Sequence, residues 1–442
     1  MVGLLLVSPP AWFFVERMEG GGPVVTLDCA SSYISAAGEY SGTVSDTGRG
    51  VRRLLIQLRQ AGREIDLLNT VYPGGEWFQE GGTAQAAFRF RIDLEKNGLA
   101  DGPALIRLTA WDHSWRDWGK GNRADIERRM VIDTKPPRLE VISRQHNINQ
   151  GGAGLAVYRV SESDTRNGVM VGDHFFPGYS GSFTDPLVYL AFFALDHLQG
   201  PDTDMFVTAS DPAGNSGRAV LPHYIRKKKF RQDTIQLSDG FLQQKMPEFN
   251  SAAEVSRQES GLDKFLAVNR VLREKNEKEL TALASKTDPV VRWDGVFQRL
   301  PRSAPRAGFA DLRSYEYQGK IVDRQYHMGL DLASLANSPI PAGNAGKVVF
   351  AGVVGIYGNT VVLDHGCGVF SLYSHLSQMD VTEGDLVNKG HPLGKTGTTG
   401  LAGGDHLHYA MLVNTTFVNP IEWWDESWIT NNITSKIEEA QP

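Results

Sequence analysis

The 442-residue chain predicts a mainly β protein: two N-terminal β-sandwiches, a helical linker and a C-terminal antiparallel β-sheet domain. Three observations predict it. In "FRFRIDL", Phe88, Phe90, Ile92 and Leu94 alternate with Arg89, Arg91 and Asp93, the period of a half-buried strand. One long stretch, Ser256 to Lys286, carries apolar residues at helical spacing instead. From Trp293 onward, glycines punctuate short apolar runs such as "GKVVFAG" and "GNTVVLDHG". The length exceeds one typical core, so several domains are expected.

The first segment, residues 1–22, is apolar from Val2 to Val15 and broken by Pro9 and Pro10. It has no basic leader and no A-x-A site, and is shorter than the roughly 20 residues of a spanning helix. A buried strand or arm is one reading. The preferred reading is an inner-membrane anchor or signal remnant whose apolar part extends upstream, ended by Glu16-Arg17 and "GGGP".

Residues 23–135 and 136–232 follow as two β domains, divided at "DTKPP". "LIRLTAWD" (Leu105 to Asp112) is entered through the turn residues Asp101-Gly102-Pro103. "VYRVS", "VYLAFFAL" and "DMFVTAS" supply strands of the second region. Thr109-Ala110-Trp111-Asp112 and Thr208-Ala209-Ser210-Asp211 form a weak repeat about one sandwich domain apart. "TASDPAGNSG" resembles the closing strand and turn of bacterial immunoglobulin-like domains, so both regions are expected to be immunoglobulin-like.

Residues 233–292 are read as a helical linker. It follows the basic run "RKKKFR", taken as a solvated connector. Leu262, Phe265, Leu266, Leu272, Leu280 and Leu283 form its stripe, and Asp288-Pro289 stops the helix. A net charge of −6 argues against a nucleic-acid partner. Cys29 and Cys367 are too far apart in sequence to suggest a disulfide framework.

Residues 293–430 carry the chemistry, with 431–442 as a polar tail. In "HLHYAMLV", His406 and His408 occupy one strand face about 7 Å apart along the backbone, with Leu407 and Tyr409 on the other. In "QYHMGLDLAS", His327 and Asp331 would lie about 13 Å apart on a straight strand. They converge only if the chain bends, which Gly329 permits. His375 ends the apolar strand of "VFSLYSHLS". Three segments presenting histidine at strand-compatible positions point to a metal site. His365 and His391 sit at turns and are read as structural, and Cys367 as incidental.

Taken in order, "HMGLDLAS", "GNTVVLDHGCGVFSLYSHLS", "VTEGDLVNKGHPLGKTGTTG" and "GGDHLHYAM" resemble the lysostaphin-type (LytM) zinc metallopeptidases, which cut peptide cross-links of bacterial peptidoglycan. The likeness covers about Gly308 to Pro420. Phe309 and Arg313 look like the family's Phe-Gly-x-Arg element, with Ala310 replacing its glycine. The resemblance implies that His327, Asp331 and His408 bind one zinc ion and that His375 and His406 are catalytic. It also places Asn359, Tyr373 and Arg313 beside the substrate. Spacing alone does not say which of His406 and His408 is the ligand.

Two neutral imidazoles and a carboxylate leave zinc with about +1 charge and an open position. His375 and His406 would then handle protons at the attacking water and at the oxyanion or leaving amine. The resemblance therefore implies a zinc endopeptidase acting on peptidoglycan peptide stems in the cell envelope, most simply in the periplasm. The alternative is a catalytically silent LytM-type regulator that binds and activates other wall hydrolases. The segments preceding the catalytic region would act as spacers from a membrane or as a cover over its groove, moved by a periplasmic regulatory partner.

Overall fold

The computed structural model describes residues 17–29, 31–35, 38–74 and 82–441. The anchor reading of residues 1–22 therefore falls mostly outside the described residues. Among these, no helix is long and apolar enough to cross a membrane. The chain is mainly β and divides into two compact units: residues up to Pro136 together with Ser210–Ser216, and Pro137–Ala209 together with Gly217–Pro442.

In the first unit, a three-stranded sheet (Val24–Asp28, Glu39–Ser45, Gln85–Arg91) encloses a core with a five-stranded one built on Val51–Gln60 and Gly102–Asp112. The alternation predicted for "FRFRIDL" is present: Phe88, Phe90, Ile92 and Leu94 are buried, while Arg89, Arg91 and Asp93 are exposed. The repeat has a physical counterpart. Asp112 accepts from Asn122 through both backbone N and Nδ2, and Asp211 accepts from Asn215 in the same way. Each aspartate ends a strand by satisfying the turn that follows.

The second unit begins with three small sheets, one of them made by Leu139–Val141, Ala153–Val160 and Val188–Ala194. Its centre is an eight-stranded sheet. Along it run Ala304–Ala307, Leu330–Ala333, Leu407–Val413, Val369–Ser374, Gly358–Asp364, Gly346–Val354 and Leu386–Val387, with Thr416–Val418 added beside Leu407–Val413. Both faces are covered, so these strands read as continuous apolar runs. Tyr373, Leu407, Tyr409, Met411 and Val413 join one core with Phe192, Trp293 and Trp423. The intervening Leu372, Ala410 and Leu412 join another with Leu242, Phe249, Phe265 and Leu272.

The helix expected from Ser256 is in place from Gly261, after Ser260 caps Asp263 N through Oγ. It passes through a π-turn at Val268–Leu272, continues as Arg273–Ala282 and closes in a 3-10 turn at Leu283–Lys286. Further turns of helix, Asp239–Lys245 and Met246–Phe249, precede it. The segment read as a linker is a layer of the second unit: its leucines and phenylalanines close one face of the central sheet. Lys245 Nζ to Thr398 O (2.6 Å), Asn276 Oδ1 to Ile356 N (3.0 Å) and Tyr317 Oη to Asp239 (2.8 Å) fasten it. Gln232–Leu237, just upstream, pairs in parallel with Asp311–Tyr317.

Candidate metal centre and groove

Two adjacent strands and one chain reversal assemble the centre. Lys320–His327 ends in His327, and Leu330–Ala333 carries Asp331. The two strands belong to different sheets, and Met328-Gly329 makes the turn between them. Asp331 pairs directly with His408 across the antiparallel ladder. Gly329 serves by close approach: a Cβ there would lie 2.6 Å from His408 Cε1 and Nε2. The expected bend exists, but the demand for glycine comes from the imidazole packed against it.

Three donor atoms meet. His327 Nε2 lies 2.9 Å from Asp331 Oδ1 and 3.0 Å from His408 Nδ1, and His408 Nδ1 lies 3.0 Å from Asp331 Oδ1. Tetrahedral zinc with ~2.0 Å bonds would space its ligands about 3.3 Å apart. His327 Nδ1 faces Gly308 O at 2.9 Å and so carries a proton, which leaves the Nε2 lone pair directed at the other two donors. One nitrogen lone pair, one carboxylate oxygen and a second ring nitrogen this close, all buried, are suited to a shared cation. The donor set fits zinc. Asp331 Oδ2 faces the other way and accepts from Arg313 Nη2 at 2.7 Å.

His375 and His406 stand beside these ligands, their ring centroids 4.8 Å apart. His375 Nδ1 donates to Thr399 O at 2.8 Å, and His406 Nδ1 donates to Gly404 O at 2.7 Å. Each ring therefore keeps Nε2 for the groove, and His406 Nε2 is 3.5 Å from Asp331 Oδ1. His375 has φ +66°, a left-handed backbone unusual for a side-chain-bearing residue. Burial, reinforced by His406 and His408, holds the His375 imidazole well below its ordinary pKa. Burial also brings His408 down to about 4. At His406 burial lowers the value, but the Asp331 carboxylate outweighs it and the net shift is upward. Burial would raise Asp331, yet the surrounding imidazoles hold it well below the usual carboxylate range.

The groove is a cavity of about 300 Å³. His327, Asp331, His375, His406 and His408 line it, and Ile235, Leu237, Phe241, Phe265, Tyr315 and Leu401 form an apolar wall. Tyr357 packs its ring against His408, centroids 5.6 Å apart. Four of these wall residues come from the segment read as a linker, and nothing in their sequence pattern announced a groove.

Of the three residues expected beside the substrate, Arg313 lines the groove, and Tyr373 and Asn359 do not. Tyr373 projects from the opposite face of the sheet, 1% exposed, its hydroxyl accepting from Gly343 N (2.7 Å) and Ser371 Oγ (2.9 Å). It is a core residue. Asn359 braces the loop after His375, donating from Nδ2 to Leu376 O at 2.8 Å. Arg313 lines the groove but is committed to Asp331. Ala310, standing where the resemblance has glycine, is buried with φ +58°, the conformation glycine adopts most easily. His365, read as a turn residue, lies in the Asp364–Val369 hairpin and is fully buried, bonded to Ala345 O and Ser371 Oγ. Cys367 is buried in the same turn, and burial pushes its thiol up to about 12, so it is unreactive.

The model of peptidase family M23 matches residues 325–420, the stretch that holds all five of these groups. The chain carries a peptidase family M23 domain. The chain is 41% identical over 95 residues to the DD-carboxypeptidase/endopeptidase Mpg of Neisseria meningitidis serogroup B, covering 22% of either protein. It is 32% identical over 107 residues to the peptidoglycan DD-endopeptidase ShyB of Vibrio cholerae, covering 24% of each. The match thus spans under a quarter of these relatives' own length. Among solved structures, the catalytic domain of lysostaphin from Staphylococcus simulans aligns at 28% identity and TM-score 0.24, covering 29% of this chain and 96% of that one. The helical layer, Phe309 and Arg313 all precede the matched M23 segment.

Proposed function

We propose that the protein is a zinc-dependent endopeptidase that hydrolyses peptide cross-links of bacterial peptidoglycan in the cell envelope. The observation that carries this reading is the convergence of His327 Nε2, Asp331 Oδ1 and His408 Nδ1 within 3.0 Å, with two further imidazoles presenting Nε2 beside them. The names of the M23 relatives support the substrate class.

Bound by these three residues, zinc supplies polarisation of the scissile carbonyl and acidification of a water. The rest of the work falls to the chain. Arg313 fixes the orientation of Asp331 through Oδ2, leaving Oδ1 for the centre. His375 and His406, each oriented by a carbonyl on Nδ1, hold Nε2 where a proton can be taken from water and returned to the leaving amine. The apolar wall excludes bulk water, which strengthens the electrostatics within. The two-sheet build of the first β region supports its reading as an immunoglobulin-like spacer.

The test is digestion of purified peptidoglycan by the wild type and by His408→Ala, with mass spectrometry of the released fragments and metal analysis of both proteins. Cleavage by the wild type alone, with about one zinc per chain, is expected. Stoichiometric zinc without cleavage would replace this reading with that of a silent regulator.

A further inference from the structure

Arg273 lines the metal groove from the helical layer, outside the segment that matches the M23 family. Two cations face this cavity, Arg273 and Arg313, against one carboxylate, Asp331. Arg313 and Asp331 satisfy each other at 2.7 Å. Arg273 has no such partner: among the described residues no carboxylate oxygen lies within 4 Å of it, although Glu277 sits one turn further along the same helix. Glu277 acts on Arg273 only through space, without an ion-pair contact, so with zinc in place the two arginines and the metal would outweigh the Asp331 and Glu277 carboxylates and leave the groove net positive. Such a pocket draws anionic ligands.

The guanidinium is also held in place. Its Nε and Nη2 donate to Asn269 O (3.2 Å) and Asn269 Oδ1 (2.6 Å). Asn269 is fully buried, and its Nδ2 donates to Asp323 Oδ2 at 2.8 Å. Asp323 is in turn gripped by Arg270 Nε at 3.0 Å. The backbone contributes as well, because the π-turn Val268–Leu272 closes on the Arg273 N–H, which bonds to Val268 O. Single π-turns within helices often mark functional positions, since the extra residue rotates the side chains that follow. Of the five N–H groups of an arginine, two are used for positioning here. The Nη1 side remains available to a planar anion in the two-pronged manner that guanidinium favours.

We propose that Arg273 is a specificity-determining residue that binds a carboxylate of the substrate peptide, so that the groove selects anionic peptides whose scissile amide lies over the His327–Asp331–His408 centre. The assignment deepens the peptidase reading and rests on it. Ile235, Leu237, Phe241 and Phe265, the part of the apolar wall that comes from the same layer, are suited to apolar side chains beside that carboxylate.

The experiment compares cross-linked peptide fragments purified from cell wall with the same fragments after conversion of their carboxylates to carboxamides. Wild type, Arg273→Lys and Arg273→Gln are assayed for kcat/KM on both, and binding of both is measured by calorimetry. Thermal melting and zinc content confirm that the variants are folded and loaded. Wild type is expected to prefer the native fragments by about tenfold or more, the scale of one charge-assisted contact. Arg273→Gln should bring the native rate down to the amidated rate and leave the latter unchanged, while Arg273→Lys keeps part of the preference. Equal losses on both substrates would mean a purely structural arginine and would overturn the proposal, as would a wild type indifferent to amidation. If the wild type cleaves neither, the peptidase reading fails. The calorimetry then decides for Arg273: a native-over-amidated preference abolished in Arg273→Gln sustains it, and no preference overturns it.

Discussion

Asp331 and His408 are direct partners across an antiparallel ladder, and the 3.0 Å between Oδ1 and Nδ1 is set by strand pairing. The candidate metal centre is thus built into the sheet, with His327 brought to it by a single turn. Asp331→Asn keeps the size and removes the charge. It should abolish stoichiometric zinc binding by metal analysis while the melting curve stays cooperative. Full zinc occupancy in this variant would show that the carboxylate is not a ligand.

Gly329→Ala places a methyl group 2.6 Å from His408 Cε1 and Nε2, and on the other side 2.9 Å from Tyr409 O. The imidazole cannot retreat, because Tyr357 and His375 pack around it. Overpacking of this kind costs about 1–3 kcal/mol. Chelator competition should show weaker zinc binding together with a lower Tm, and unchanged zinc affinity would contradict the close-packing account.

Arg313→Met removes the partner of Asp331 Oδ2 and leaves that buried carboxylate oxygen without its donor. Loss of such an outer contact typically weakens metal affinity by about 10–100-fold. Arg313→Lys should recover part of it. If Arg313 instead bound substrate, KM would rise with zinc affinity untouched.

Glu422 gives the second unit a pH dependence away from the metal. Its carboxylate is buried and accepts from Asn149 Nδ2 (2.6 Å) and Ala153 N (3.0 Å), and burial raises it from 4.5 to about 7. The folded chain therefore keeps a proton that the unfolded chain releases above its ordinary value. That contribution is complete below pH 4.5 and is lost as pH rises through about 7, up to about 3 kcal/mol at ~1.4 kcal/mol per pH unit. Melting from pH 5 to 8 should show wild type losing Tm relative to Glu422→Gln; parallel profiles would refute this.

A chain beginning at Trp293 would lack Leu242, Phe249, Phe265 and Leu272, which cover one face of the central sheet. Such an exposed apolar face promotes association. Size-exclusion chromatography should find it aggregated. A soluble, active monomer would instead restore the idea of a removable cover.

The candidate metal set was legible in part because its spacings are local: His406 and His408 lie two residues apart, and His327 and Asp331 flank one turn, while the choice of His408 over His406 as ligand came from the family resemblance and not from spacing. Tyr373 was placed beside the substrate by the resemblance alone. It lies two residues before His375 but not on its face, because the strand ends at Ser374 and the left-handed backbone of His375 breaks the alternation. Arg313 was singled out, yet its partner lies 18 residues away on another sheet, and no local pattern pairs them. The helical stripe was visible in Leu262 to Leu283. Its destination was not, because a stripe says that a face is buried without saying against what.

The strand Leu407–Val413 sends alternate residues into two different cores and carries His406 and His408 at its head. A slip of one position would turn Leu407 and Tyr409 toward the groove and drive both imidazoles into apolar packing. No half-correct alignment of this strand can hold zinc. Capture of the ion would thus act as a proofreading step on this strand: only the registered sheet would be fastened, and the same two-residue period that writes the fold would certify it.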